Sequence, residues 1–175
     1  MHVEPHPFRS KDWEGSAHFS EGHTVLRDQI NDDLKEAMKA KNERAVSTLR
    51  MINSTLKNAD IEARGAGKQP LGDAEVLSLL QKMIKQRQES VELYKQGGRA
   101  DLVRQEEEEI AIITAYLPKQ MSEPEMKAAI EAAVKETGAA GMKDMGKVIG
   151  ILRGKYAGQM DMARASAMVK AQLAG

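Results

Sequence analysis

Apolar residues recur at alternating steps of three and four along most of the chain beyond residue 25. One such run consists of Ala45, Leu49, Ile52, Leu56 and Ala59. This spacing brings apolar side chains to one face of a helix and differs from the period of two that a half-buried strand requires. Because neither Trp nor Phe occurs beyond residue 25, the core must consist of Leu, Ile, Val, Met and Ala, which suits helix-on-helix packing. The sequence therefore predicts an all-α fold.

The first 25 residues differ in composition from the rest of the chain. They contain all four His, both Phe and the only Trp, and they show no apolar periodicity. We interpret residues 1–25 as a disordered leader. They lack the apolar segment of a secretory signal, and the acidic residues Glu4, Asp12 and Glu14 are atypical of an acid-poor transit peptide. The irregular spacing of the histidines does not predict a metal site.

Residues 26–118 are predicted to form an N-terminal bundle of about four helices. Asn42 interrupts or caps the chain after the first helix, Gly65 ends the second, and the glycine pair at 97–98 ends the third. The fourth helix carries a run of four glutamates, Glu106–Glu109. Consecutive residues point in different directions on a helix, so this run cannot form a paired-carboxylate site by itself. We expect it to be solvated surface.

Residues 119–175 are predicted to form a second, C-terminal domain. Ser122 and Glu125 have the spacing of a capping box, Gly138 is placed to end a helix in the left-handed conformation, and Asp161 is placed to cap another. These signals predict three short helices, at about 122–137, 143–154 and 161–173.

Three glycines, Gly146, Gly150 and Gly154, recur every four residues and so share one face of the middle helix of this domain. Each glycine lowers helix stability by about 1 kcal/mol relative to alanine, so the presence of three glycines on one face needs a physical explanation. Close packing of a neighbouring helix is the reason that we favour. The alternative is the approach of a ligand backbone to the glycine face.

Basic residues cluster around this glycine-spaced helix, although the formal net charge of the chain is +0. The basic residues are Lys143, Lys147, Arg153, Lys155, Arg164 and Lys170. Within the same stretch only Asp144 and Asp161 oppose them. Because the excess is local, any RNA contact here should be modest and sensitive to salt.

The sequence carries no self-sufficient catalytic site. The segment 141–148 has the spacing of a phosphate-binding loop, but Val148 stands where Ser or Thr would hold magnesium, and a helical pattern precedes it. We therefore interpret this segment as a turn followed by a helix start. His is absent beyond residue 25 and Cys is absent throughout, which removes the commonest general base and all thiolate chemistry. No catalytic residue, cofactor or metal is expected.

No apolar run approaches the ~20 residues of a membrane span. The absence of Cys is compatible with a reducing cytoplasm, which we take as the expected location.

Several short motifs in combination resemble the YqeY family of small bacterial proteins. They are Met38–Lys41, Leu49–Ile52, Leu71–Leu80, Gly98–Val103, Tyr116–Gln120, Thr137-Gly138 and Met142–Val148. The resemblance covers about residues 26 to 173. It implies a helical bundle joined to a three-helix domain similar to the tail of GatB, the tRNA-handling subunit of the glutamine-dependent aminoacyl-tRNA amidotransferase, in which the tail contacts tRNA. The matching positions on the glycine-spaced helix are Gly146, Lys147, Val148, Gly150 and Leu152.

Together these features predict a non-catalytic accessory protein that binds tRNA or docks onto a tRNA-processing protein such as the amidotransferase, with no membrane and no DNA as partner. The candidate tRNA-binding residues are Lys143, Lys147, Arg153, Lys155, Arg164, Gly146 and Gly150. Two alternatives stay open. One is a protein-interaction module without RNA contact, and the other is an accessory subunit of a carbon–nitrogen ligase with glutamine as amido donor.

Overall fold

A computed structural model describes residues 25–175, and within this range every regular element is a helix. The α-helices are α1 (Val25–Lys39), α2 (Glu43–Gly65), α3 (Asp73–Gln96), α4 (Ala100–Thr114), α5 (Glu123–Thr137), α6 (Met145–Lys155) and α7 (Met162–Ala174). A short 3-10 helix, Met142–Asp144, precedes α6. The predicted all-α class is confirmed. The predicted leader lies outside the described residues, except for Val25.

The chain divides between Tyr116 and Leu117 into two compact units. The first unit contains α1 to α4, and the second contains α5 to α7 with the 3-10 helix. The sequence places the boundary near residue 119; that each unit is a domain able to fold by itself stays a prediction.

The helix ends of the first unit follow the local signals of the sequence. Asn42 caps α2, because its side-chain oxygen accepts a hydrogen bond from the backbone N–H of Ala45 at 3.1 Å. The residue before it, Lys41, adopts a positive φ of 55°. Gly98 adopts a φ of 67° just after α3, a conformation that favours glycine.

The core of the first unit is aliphatic. Its fully buried side chains include Leu26, Ile30, Leu49, Ile52, Leu56, Val76, Leu80 and Ile113. Each contributes about 1.5–3 kcal/mol by leaving water. The most extensive packing joins α3 to α4 and α1 to α2. These contacts hold the four helices together, and the buried side chains among residues 25–114 are mainly aliphatic.

The glutamate run on α4 is not solvated throughout, which corrects the expectation from sequence. Glu109 is only 5% exposed, and its carboxylate accepts a hydrogen bond from Nε of the buried Arg87 at 2.9 Å. Arg87 also donates to the Met83 carbonyl oxygen at 3.1 Å and to the sulfur of Met51. Burying two charges is tolerated here because each has a partner of opposite sign and further hydrogen bonds.

Substituting Glu109→Gln should lower the free energy of unfolding by about 3 kcal/mol, because the Arg87 guanidinium would be left buried without a counter-charge. Chemical denaturation in urea measures this change. The matched control is Glu108→Gln, which removes the same charge from a half-exposed carboxylate paired with Arg44 at 3.0 Å. It should change stability by less than about 1 kcal/mol. Equal effects of the two substitutions would contradict a structural role for the buried pair.

The hydroxyl of Tyr116 donates a hydrogen bond to the Asp33 carboxylate and joins the end of the first unit to α1. Burial, followed by the hydrogen bond and the negative charge of Asp33, raises the pKa of Tyr116 above its ordinary value of 10.0. The neutral phenol therefore stabilises the folded state below pH 10, and this contribution is lost as the pH rises above the ordinary value.

The free energy of unfolding of the wild-type protein should fall above pH 10 by up to about 1.4 kcal/mol per pH unit relative to Tyr116→Phe. The phenylalanine variant has no proton to lose at this position. Urea titrations at a series of alkaline pH values measure the difference. Parallel pH profiles for the two proteins would show that Tyr116 ionises as freely in the fold as in the unfolded chain.

Candidate nucleic-acid interface

The second unit is framed by helix caps that the sequence predicts. Ser122 and Glu125 form the capping box at the start of α5: the Ser122 backbone N–H donates to the Glu125 carboxylate at 2.7 Å, and the Glu125 N–H donates to the Ser122 hydroxyl oxygen at 3.4 Å. Gly138 ends α5 with a φ of 65°. The Asp161 carboxylate caps α7 by accepting from the N–H groups of Ala163 and Arg164 at 2.9 and 3.2 Å.

The core of the second unit determines the orientation of α6. Its buried residues are Met126, Ala129, Ile130, Ala133, Val148, Leu152, Met160, Ala165 and Val169. α6 contributes Val148 and Leu152, both 0% exposed. At 100° per residue, these two side chains lie about 160° from Gly150 on either side of the helix. The glycines therefore face away from the core of this unit.

The glycine face of α6 is open, and the packing explanation favoured from sequence is wrong within the part of the chain that the structure describes. A Cβ atom built on Gly146, Gly150 or Gly154 would meet no heavy atom within 4 Å. All three glycines are exposed. The strip spans about 12 Å at the helical rise of 1.5 Å per residue. Within the second unit, no helix packs against this face.

Lys147 and Arg153 flank the glycine strip. Each is three residues from Gly150, so they project about 60° to either side of it. Arg153 and the neighbouring Lys143 are exposed, and neither has a carboxylate within 4.0 Å among residues 25–175. Lys147 is 72% exposed and lies 3.7 Å from the Asp144 carboxylate, a weak contact. We call Gly146, Gly150, Gly154, Lys143, Lys147 and Arg153 the glycine face.

Asp144 also binds the backbone of the turn that precedes α6. Its carboxylate accepts a hydrogen bond from the backbone N–H of Ala140 at 3.1 Å. This hydrogen bond lowers the pKa of Asp144, and the positive charges of Lys147 and Lys143 lower it further. Burial has the opposite but smaller effect. Asp144 therefore stays ionised at neutral pH and offsets only one of the three charges of the glycine face.

The other two basic candidates are held by carboxylates of α5. Lys155 contacts Glu136 near the end of α5 at 2.6 Å, and Arg164 contacts Glu123 at the start of α5 at 2.7 Å. The partners are 19 and 41 residues apart in sequence, so no local pattern predicts these pairs. Lys155 and Arg164 thus connect α6 and α7 to α5, and the structure does not bring them onto the glycine face.

The second unit as a whole is basic. Residues 117–175 contain nine Lys and Arg against six Asp and Glu, which gives a formal net charge of +3. Residues 1–116 contain the remaining 17 basic and 20 acidic residues, a formal net charge of −3. The excess lies in residues 142–175, which contain six basic and two acidic residues, whereas residues 117–141 contain three basic and four acidic ones.

The segment with phosphate-loop spacing forms a 3-10 turn and the start of α6, and the helix α5 precedes it instead of a strand. This confirms its interpretation as a turn followed by a helix start. Among residues 25–175, no helix has the length and apolar character needed to cross a membrane.

Substituting Gly150→Ala should raise the free energy of unfolding by about 1 kcal/mol, because alanine favours the helix and its methyl group meets open space. Thermal and urea unfolding measure the gain. Ala132→Gly, at an exposed position of α5, is the reverse control and should lower stability by a similar amount. A destabilised Gly150→Ala protein would restore the packing explanation.

Comparison with known proteins supports a family assignment. The family described as "YqeY: Yqey-like protein" matches residues 27–173. A protein of Pyrenophora tritici-repentis is 31% identical over 137 residues, which are 75% of this chain and 73% of the relative. Proteins of Eremothecium gossypii and Lachancea thermotolerans are 34% and 38% identical; the matches cover 56% and 58% of this chain and 52% and 54% of the relatives. The chain thus spans about half the length of these two relatives.

All three relatives are named "Altered inheritance of mitochondria protein 41, mitochondrial". These names point to mitochondria and contradict the cytoplasmic location expected from the sequence. That expectation rests on the absence of cysteine, which does not distinguish one reducing compartment from another. The match over residues 27–173 includes all of α2 to α6 and nearly all of α1 and α7. The chain belongs to the YqeY family of Yqey-like proteins.

Proposed function

We propose that this protein is a non-catalytic accessory protein that binds RNA, with tRNA as the first candidate, through the glycine face of α6. The observation that carries the proposal is the coincidence of two features on one helix face. The three glycines of the strip carry no side chains, and cations flank the strip on both sides. A Cβ built on any of these glycines would meet no heavy atom of residues 25–175 within 4 Å. The implied resemblance to the GatB tail is consistent with this ligand.

A sugar-phosphate backbone suits this surface physically. The missing side chains let the backbone approach α6 closely, and the flanking Lys147 and Arg153 can reach phosphate oxygens on two sides. Such contacts position an RNA without reading its bases, because phosphates carry no sequence information. We therefore expect binding to several tRNAs with similar affinity.

The number of cations on the face limits the expected affinity. Three phosphate contacts, from Lys143, Lys147 and Arg153, give a slope of log K against log salt of about −2 to −3. Binding should therefore weaken by roughly 15- to 60-fold between 50 and 200 mM salt. The net charge of +3 on the second unit adds long-range attraction that salt also screens.

The double substitution Lys147→Ala with Arg153→Ala should weaken tRNA binding about tenfold or more at low salt and should reduce the salt slope by nearly 2, because two phosphate contacts are removed. Fluorescence anisotropy with labelled tRNA, titrated at several salt concentrations, measures both quantities.

The matched control is Lys155→Ala with Arg164→Ala, which removes the same two charges from side chains outside the glycine face: Lys155 lies about 140° around α6 from Gly150, and Arg164 lies on α7. It should leave the salt slope nearly unchanged. Equal losses for the two double variants would mean that the net charge matters and the glycine face does not. Failure of the wild-type protein to bind tRNA at low salt would remove the proposal altogether.

A protein-interaction role is the second candidate, and exposed apolar side chains of the first unit favour it. Leu93 is 67% exposed, Val25 63% and Ile61 56%. Partners that contact these side chains should survive nuclease treatment and high salt in an affinity capture, whereas partners held through RNA should be lost. An accessory role in an amidotransferase would require glutamine- and ATP-dependent amidation that appears only when other subunits are supplied.

A further inference from the structure

A groove beside the turn between α3 and α4 lies in the first unit and is separate from the glycine face. Its volume is about 400 Å³, and the groove is shallow and open to solvent. The lining residues are Tyr94, Lys95, Gly98, Arg99, Ala100, Val103, Arg104 and Glu107. Three of these residues are cationic and one is anionic, which leaves an excess of two positive charges among the lining residues.

The three cations are accessible to an anion. Arg104 is exposed and has no carboxylate within 4.0 Å among the described residues. Arg99 donates to the Asp101 carboxylate at 3.0 Å, and both side chains are more than half exposed. Lys95 lies 3.3 Å from the Glu92 carboxylate, again with both side chains more than half exposed. Exposed pairs of this kind contribute at most about 1 kcal/mol, so a doubly charged ligand can replace either carboxylate.

The remaining lining residues suit the organic part of an ester. Gly98 carries no side chain, and a Cβ built there would meet nothing within 4 Å, so a ligand can approach the backbone of the turn. The ring of Tyr94 and the side chain of Val103 are partly buried and supply apolar surface beside the charges. Guanidinium groups such as those of Arg99 and Arg104 match the geometry of phosphate oxygens in a bidentate contact.

We propose that this groove binds a phosphate group, carried either by a small phosphate ester or by an RNA backbone. Lys95, Arg99 and Arg104 contact the phosphate oxygens, and Tyr94 with Val103 contacts the organic part. Glu107 also lines the groove, and its negative charge opposes a phosphate placed directly beside it. This site does not depend on the function proposed for α6, because it uses residues of the other unit.

The experiment follows the backbone amide of Gly98 in the isotope-labelled full chain by two-dimensional NMR. Inorganic phosphate and adenosine monophosphate are added separately at roughly millimolar concentrations, the range of a weak exposed site. We expect saturable shifts at Gly98 and its neighbours, with tighter binding of the nucleotide. Added tRNA then distinguishes the sources: displacement of the nucleotide identifies RNA as the carrier of the phosphate, and no displacement identifies a free ester.

The test variant is Lys95→Gln with Arg104→Gln, which should weaken nucleotide binding about tenfold while circular dichroism stays unchanged. The control is Lys82→Gln with Lys85→Gln, which removes two exposed charges from the same helix α3 outside the groove. It should bind like the wild type. No saturable shift at Gly98, or equal losses in the two variants, would overturn the proposal. Neither result bears on tRNA binding by α6, which the anisotropy measurements test separately.

Discussion

The burial of Val148 and Leu152 against α5 and α7 is the constraint on which the candidate site depends. These two side chains fix the rotation of α6, and helical geometry then places Gly150 and its neighbours on the opposite side. The same rotation directs Lys147 and Arg153 to the two flanks of the strip. The three glycines lower the helix propensity of α6, but the aliphatic core on the opposite side of the helix holds them in position.

The sequence predicts local features of this chain better than contacts between distant residues. Asn42, Ser122, Gly138 and Asp161 each mark a helix end through chemistry within a few residues, and the structure has a cap or stop at each. The burial of Glu109 could not be predicted from its neighbours, because its partner Arg87 lies on another helix, 22 residues away. Periodicity shows which face of a helix is apolar, but it does not show which charged side chain finds a buried partner.

The same difference between local features and distant contacts applies to the candidate site. Sequence spacing alone places the three glycines on one face and surrounds them with basic residues, yet it does not show whether another helix covers them. It also treats five cations as equivalent. Their positions in the structure distinguish them, because Arg164 and Lys155 lie beside Glu123 and Glu136 of α5, whereas Lys147 and Arg153 flank the open face.

The most direct test of the account is the response of the α6 glycine amides to tRNA in two-dimensional NMR of the full chain. Glycine amides occupy a distinct region of the spectrum, so Gly146, Gly150 and Gly154 can be compared with Gly138 and Gly158 of the same unit. The three α6 glycines should shift or broaden on addition of tRNA at low salt, while Gly138 and Gly158 change less. Binding of tRNA with all three α6 glycines unchanged would contradict this expectation.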